Sequence, residues 1–165
     1  MQLPDAEQLL DNLAEQIRPL LGENPALVGI HSGGAWLAQR LREKLGGGIA
    51  FGTLDISFYR DDFSRIGLHT QTKPSNIPFE VEGRHIVLVD DVLYTGRTIR
   101  GAMNELFDYG RPASIKLAVL IDRGGRELPV EAQAVAARMT LQPGQNLELL
   151  QDENGRFSLR LHEAK

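Results

Sequence analysis

The sequence predicts an α/β fold: a central parallel β-sheet flanked by helices. Three observations carry this reading. Short, nearly continuous apolar runs at 26–30, 86–89 and 114–121 fit strands buried on both faces. The first two runs pass into loops of small residues and then into helical periodicity, the strand–loop–helix unit of a parallel crossover. The third ends in another glycine-rich loop. In a parallel sheet such loops gather at the carboxyl ends of the strands and form a ligand crevice.

Taken in order, residues 5–21 place Leu9, Leu10, Leu13, Ile17 and Leu20 at helical spacing, with Asp5 and Glu7 at the start and Pro19 ending or bending the helix. The outer face holds Asp5, Glu7, Asp11 and Glu15 against a single Arg18, and reads as a solvated acidic surface. Strand 26–30 leads through His31-Ser32-Gly33-Gly34 into a helix over 35–44, with Trp36, Leu37 and Leu41 inward. Gly46-Gly47-Gly48 breaks the chain. Residues 49–58 then alternate, with Ala50, Leu54, Ile56 and Phe58 opposite Thr53, Asp55 and Ser57, as in a half-exposed strand. From 59 to 78 no period survives, and a loop of this length is functional or disordered.

Next the apolar run Ile86-Val87-Leu88-Val89 ends in Asp90-Asp91. Val92-Leu93-Tyr94-Thr95-Gly96-Arg97-Thr98 turns into a helix that starts at about Thr98. Ile99, Ala102, Met103, Leu106 and Phe107 form its inward face, Gly110 stands where a left-handed cap is expected, and Pro112 prevents resumption. Strand 114–121 ends in Asp122-Arg123-Gly124-Gly125-Arg126-Glu127-Leu128-Pro129, and residues 133–161 suggest a closing strand and a hairpin around Asn154-Gly155.

The turn at 95–98 has the chemistry of a phosphate cradle. Backbone N–H groups at a helix start lack internal partners and carry the positive end of the dipole. Gly96 lets main chain approach a ligand, and two threonine hydroxyls add donors. The spacing matches neither a Walker loop nor Gly-x-Gly-x-x-Gly, which disfavours triphosphate and dinucleotide sites. Asp90 and Asp91 would repel a bare anion. They make sense as acceptors for sugar hydroxyls or as holders of a divalent cation. A ribose 5-phosphate satisfies both halves. An Asp-Asp pair alone is an ordinary strand end, and only the whole run is specific.

Composition narrows the class. At 165 residues one domain, spanning 1–165, is expected, and the absence of cysteine excludes disulfides and cysteine-based metal sites. No basic region followed by an apolar one opens the chain, and no apolar run approaches a membrane span, so a soluble, cytoplasmic protein is expected. The net charge of −4 gives no global attraction to nucleic acid. His31, His69, His85 and His162 lack short ligand spacing and read as surface or loop residues, and nothing resembles Gly-x-Ser-x-Gly.

The run from Val87 to Thr98 resembles the ribose-5-phosphate signature of the type I phosphoribosyltransferases. With Asp55-Ile56-Ser57-Phe58-Tyr59-Arg60-Asp61-Asp62 before it and the 122–129 loop after it, the chain resembles the PyrR family of pyrimidine operon regulators over roughly residues 5 to 150. The resemblance implies a type I phosphoribosyltransferase fold with a mobile hood over 59–78, and conversion of uracil and phosphoribosyl pyrophosphate (PRPP) to UMP and pyrophosphate. It implies that Val92, Leu93, Tyr94, Thr95, Gly96, Arg97 and Thr98 bind the ribose 5-phosphate, while Asp90, Asp91 and Arg60 serve catalysis. His31, Ser32, Gly33 and Gly34 would form the pyrophosphate loop, and Asp122, Arg123 and Gly124 would cover the base. Mg²⁺ is expected through substrate oxygens, with Asp90 and Asp91 as its possible protein contacts.

Two departures stand out. The family's Lys-Thr-Arg-Gly pattern is His-Ser-Gly-Gly here, which removes charge from the diphosphate pocket; restoring it with Gly33→Arg is expected to raise activity. The family's histidine is replaced by Gly125. The family also implies a homo-oligomer, dimer or tetramer, and a pyr mRNA leader as partner. The RNA face of the family draws on basic residues of the first helix, acidic here, and on the loop that keeps Arg123 and Arg126. A weakly catalytic UMP- or PRPP-sensing regulator is the alternative reading. A purine salvage enzyme is disfavoured by the strings at 59–62 and 122–129.

Overall fold

The computed structural model describes residues 2–56 and 75–163. Five parallel strands form its centre: β1 (Pro25–Ile30), β2 (Ala50–Leu54), β3 (His85–Leu93), β4 (Ser114–Asp122) and β5 (Ala134–Arg138). Their spatial order is β2-β1-β3-β4-β5. Helices α1 (Ala6–Ile17) and α2 (Gly33–Lys44) cover one face and α3 (Arg97–Tyr109) the other, while β6 (Asn146–Gln151) and β7 (Phe157–His162) form an antiparallel hairpin. No helix among the described residues is long and apolar enough to cross a membrane. Arg60 and the expected hood lie outside the described residues, apart from its last few positions.

Side-chain alternation divides the sheet between two cores. Val87 and Val89 of β3 join Ala118 and Leu120 of β4 under Leu10, Leu13, Ile17, Leu37 and Leu41 of α1 and α2. Ile86 and Leu88 join Leu117 and Val119 under Ile99, Ala102 and Leu106 of α3. Such two-faced burial requires the continuous apolar runs. The register pairs Val89 with both Gly29 and Ala118, so the loops after β1, β3 and β4 emerge at one edge.

Several boundaries differ from expectation. β3 does not stop before the acidic pair but runs through Asp90 and Asp91 to Leu93. α2 starts at Gly33, so the two glycines belong to its first turn. α1 ends at Ile17, and Pro19 sits inside a short 3-10 turn over Arg18–Leu20. Gly110 does not adopt the left-handed helical cap; its φ of 154° and ψ of −178° are extended, and a Cβ there would lie 3.0 Å from the Glu82 amide nitrogen. Phe107 is 57% exposed, because the buried face of α3 turns through Ile99, Ala102 and Leu106 and leaves it to one side.

The face of α1 is also less solvated than its acidity suggests. Glu7 accepts from Arg40 Nη2 of α2 at 2.7 Å and from the Phe157 amide of β7 at 2.8 Å. Arg40 in turn lies 5.0 Å over the Phe157 ring and donates to the Gly155 carbonyl. This junction clamps the hairpin to the helices, and the Arg40 bonds pull the Glu7 carboxyl below its ordinary range despite the cost of burial.

Candidate functional site

The turn expected to act as a cradle lies where β3 passes into α3. A cavity of about 90 Å³ is lined by Asp90, residues 92–96, Thr98 and Ile99. Gly96 is the N-cap of α3 with φ of 95°, a left-handed conformation suited to glycine, and a Cβ there would meet Val130 at 3.2 Å. Thr95 is buried, and its hydroxyl accepts from the Arg97 amide at 3.2 Å. Its carbonyl accepts from the Glu127 and Leu128 amides, which pins the cradle to the loop after β4. The cavity is small and lies at the first turn of α3, where backbone amides lack intrahelical partners. Not every residue of the run turns inward: Tyr94 is 47% exposed, and the Arg97 side chain pairs outward with Glu127.

Because β3 continues through both acids, their side chains go to opposite faces. Asp90, 6% exposed, lines the cavity and accepts from the Asp91 amide through Oδ1 at 2.9 Å. Asp91 faces α2: its Oδ1 accepts from the Val92 amide at 2.8 Å, and its Oδ2 fills the space a side chain on Gly33 would need. A Cβ built on Gly33 would also lie 2.9 Å from Asp91 Cγ. The twin aspartates therefore serve two loops, one each.

The loop His31-Ser32-Gly33-Gly34 hangs from β1, with the His31 amide donating to Leu54 at 2.9 Å and Ser32 capping α2 through its main chain. Gly34 packs directly on β3, where any Cβ would strike the Val89 carbonyl. The loop thus offers bare backbone at a helix start, beside the Asp91 carboxylate.

The loop after β4 is held by Asp122, 4% exposed. Its Oδ2 accepts from Arg126 Nη2 at 2.6 Å and Arg138 Nη1 at 2.9 Å, and its Oδ1 from the Gly124 amide at 2.9 Å. Burial alone would raise this carboxyl, but the Arg126 hydrogen bond, the Gly124 amide and the two guanidinium charges together hold it below its ordinary range. Arg126 donates its remaining nitrogens to Val130 and Tyr94 carbonyls at 2.7 and 2.9 Å. Arg123 stacks 3.9 Å over the Tyr94 ring. On Gly125, at φ of 81°, a Cβ would stand 2.5 Å from the same ring, so the second departure from the family pattern makes room for Tyr94. A cavity of about 410 Å³ opens among these residues, Arg138, Met139 and Thr140.

The structure thus brings together residues 31–34, 90–98 and 122–126 at one sheet edge. Arg138 went unnoticed in the sequence. Its only signal there is a charge ending a weakly alternating strand, and its relation to Asp122 exists only through the β4–β5 register. Arg126, half-buried, braces the loop after β4 between Asp122 and the Tyr94 and Val130 carbonyls. Among the described residues no three carboxylates or imidazoles converge as a metal cage.

Comparison with known proteins accords with this geometry. Residues 2–141 match the phosphoribosyl transferase domain family. A Bifunctional protein PyrR of Nitrosococcus oceani is 48% identical over 160 residues, covering 93% of this chain and 90% of that protein. One of Pseudomonas paraeruginosa is 51% identical over 154 residues, covering 91% of each. In fold, the hypoxanthine phosphoribosyltransferase of Trypanosoma cruzi superposes with a TM-score of 0.64 at 20% identity, over 84% of this chain and 81% of that one. The chain belongs to the phosphoribosyl transferase domain family and, within it, to the bifunctional PyrR proteins.

Proposed function

We propose that this sheet edge transfers the 5-phosphoribosyl group of PRPP to N1 of uracil, giving UMP and pyrophosphate, and that occupancy of the same edge drives pyrimidine-responsive regulation. One observation carries the reading: a small cavity at the head of α3 has Asp90 in its wall, while Asp91 stands across β3 against a bare glycine loop. Such a site grips an anion at one end and polar hydroxyls in the middle, with main-chain donors for a second anion beyond.

In this mechanism the amides of 95–98 hold the 5-phosphate, and Asp90 and Asp91 accept from the ribose hydroxyls. The C1–oxygen bond to the diphosphate breaks, with its electron pair leaving on pyrophosphate, and the ring oxygen shares the positive charge. The two carboxylates favour that charge, and the Ser32–Gly33–Gly34 main chain stabilises the departing anion. The N1–C1 bond then forms and the N1 proton goes to pyrophosphate or water. Most of the acceleration comes from positioning. Mg²⁺, when bound, neutralises diphosphate charge. The donor set fits a cation carried largely by substrate oxygens and water, with Asp91 beside the loop as its protein contact.

The deciding experiment is a panel of bases assayed with PRPP and Mg²⁺ for pyrophosphate release. Uracil is the expected substrate; release with purines alone, or with no base, overturns the assignment. For the regulatory half, filter binding to a pyrimidine operon leader with and without UMP is the test. All three guanidinium nitrogens of Arg126 already make bonds within the protein. A homo-oligomer in the cytoplasm completes the proposal, with light scattering to check the dimer or tetramer.

A further inference from the structure

We infer that Arg138 determines specificity for the base by donating a charge-assisted hydrogen bond to a ring carbonyl of the pyrimidine. The inference rests on the phosphoribosyl transfer proposed above and assigns a residue of its base pocket.

The 410 Å³ cavity borders the cradle directly: Arg123 donates its amide to Leu93, Arg126 bonds the Tyr94 carbonyl, and the Glu127 and Leu128 amides bond Thr95. A base attached to a sugar anchored in the cradle is thereby led toward this cavity. Three guanidinium groups line it, and they are committed unequally. Arg126 has spent every nitrogen on the protein. Arg123 lies flat on Tyr94 with Nη1 on Asn146 Oδ1. Arg138 is different. Its side chain is 67% exposed, one nitrogen (Nη1) is anchored on the buried Asp122 carboxylate, and Nε and Nη2 make no bond among the described residues.

The anchoring follows from the sheet. Asp122 and Arg138 are register partners on adjacent parallel strands, so their side chains leave the same face. Asp122 is itself immobilised by Arg126 and the Gly124 amide, which makes it a fixed post. A guanidinium tethered at one corner presents its other N–H groups as a planar, pre-oriented donor edge. Uracil carries two carbonyl acceptors that such an edge satisfies. An exocyclic amine at the same ring position would set donor against donor, so the edge rejects an aminopyrimidine. Rejection by an unpaired polar group is a strong discriminator.

The test compares uracil, 2-thiouracil and 4-thiouracil in wild type, Arg138→Met and Arg138→Lys, with PRPP affinity measured in parallel. Sulfur is a weak acceptor, so wild type is expected to penalise the thio substitution at the carbonyl Arg138 reads. Arg138→Met should lower kcat/KM for uracil roughly 10- to 100-fold, the equivalent of one charge-assisted hydrogen bond. It should also erase that oxo/thio preference while leaving the KM for PRPP within about twofold of wild type. Arg138→Lys, which keeps a cation and donors, should restore part of the preference and serves in place of the Met variant should that one fail to fold. An oxo/thio ratio unmoved in the folded variants overturns the inference while uracil turnover by wild type leaves the transfer reaction standing. Absence of wild-type turnover with any pyrimidine overturns both.

Discussion

Gly33→Ala tests the architecture of the site more sharply than removal of a catalytic group. The backbone of Gly33 is at an ordinary φ within the first turn of α2, so alanine fits the chain itself and gains about 0.5–1 kcal/mol of helix propensity. Its Cβ, however, would occupy the place of Asp91 Oδ2 and lie 2.9 Å from Asp91 Cγ. The carboxylate must rotate, losing its 2.8 Å bond from the Val92 amide. That bond, to a charged acceptor, is worth about 1.5–3 kcal/mol, and an off-rotamer side chain adds roughly 0.5–1.5. Helix propensity offsets part of this, so global stability should fall by about 1–4 kcal/mol. Activity should fall more, because the group aimed at the sugar has been moved: about 10- to 100-fold in kcat/KM for PRPP. The assay is steady-state pyrophosphate release, repeated in an Asp91→Ala background. If the alanine acts through Asp91, it should cost little once Asp91 is truncated. Wild-type kcat/KM in folded Gly33→Ala, or full additivity of the two changes, would refute the reasoning. The same collision reverses the expectation for Gly33→Arg. Any side chain at 33 displaces Asp91 before its charge can help, so a net loss is expected.

Other perturbations follow from the clamps around the site. Glu105 accepts from the Ser75 hydroxyl at 2.6 Å, while its second oxygen is buried without a partner. Burial pushes this carboxyl up, with repulsion from Asp55 and Asp108 adding to it. A raised carboxyl contributes stability that is full below the unfolded-state value and lost as pH rises through the folded one. Glu105→Gln should therefore raise the melting temperature at neutral pH, by about 0.5–1.5 kcal/mol equivalent, and show little gain in acid; a lower neutral melting temperature would contradict it. Arg126→Gln strips Asp122 and two carbonyls of a partner and should cost about 2–4 kcal/mol in urea unfolding. Asp122 is a lowered carboxyl, whose stabilisation is present above the unfolded-state value and lost as pH falls through the folded one, so the deficit should shrink in acid. Glu7→Gln removes the charge that joins α1, α2 and β7 and should destabilise by about 1.5–3 kcal/mol, with hydrogen exchange rising first in the 146–162 hairpin.

The parallel sheet, the three glycine-bearing loops and the helix-start turn after β3 were legible in the linear chain because each depends on neighbours in sequence. Short continuous apolar runs bounded by turn residues fit two-sided strands, and a Thr-Gly-Arg-Thr turn before a helical period places first-turn amides without intrahelical partners at a helix start. Strand ends are less local. An aspartate pair looks like a stop, yet β3 continues through it because β4 supplies ladder partners up to Asp122, and that extension sends Asp90 and Asp91 to opposite faces.

What only the tertiary structure decided are the relations between distant residues. Gly33 reads in one dimension as a lost cation, but in the fold it is the space that Asp91 occupies. Arg126 reads as one of two arginines in a loop, and in the fold it braces Asp122 and two carbonyls. Arg138 meets the 122–126 loop through its strand partner Asp122, and Glu7 reaches across to Arg40 and β7. Composition and periodicity determine which segments can be buried. Which side chains meet there is set by register and packing, and those are properties of the assembled sheet.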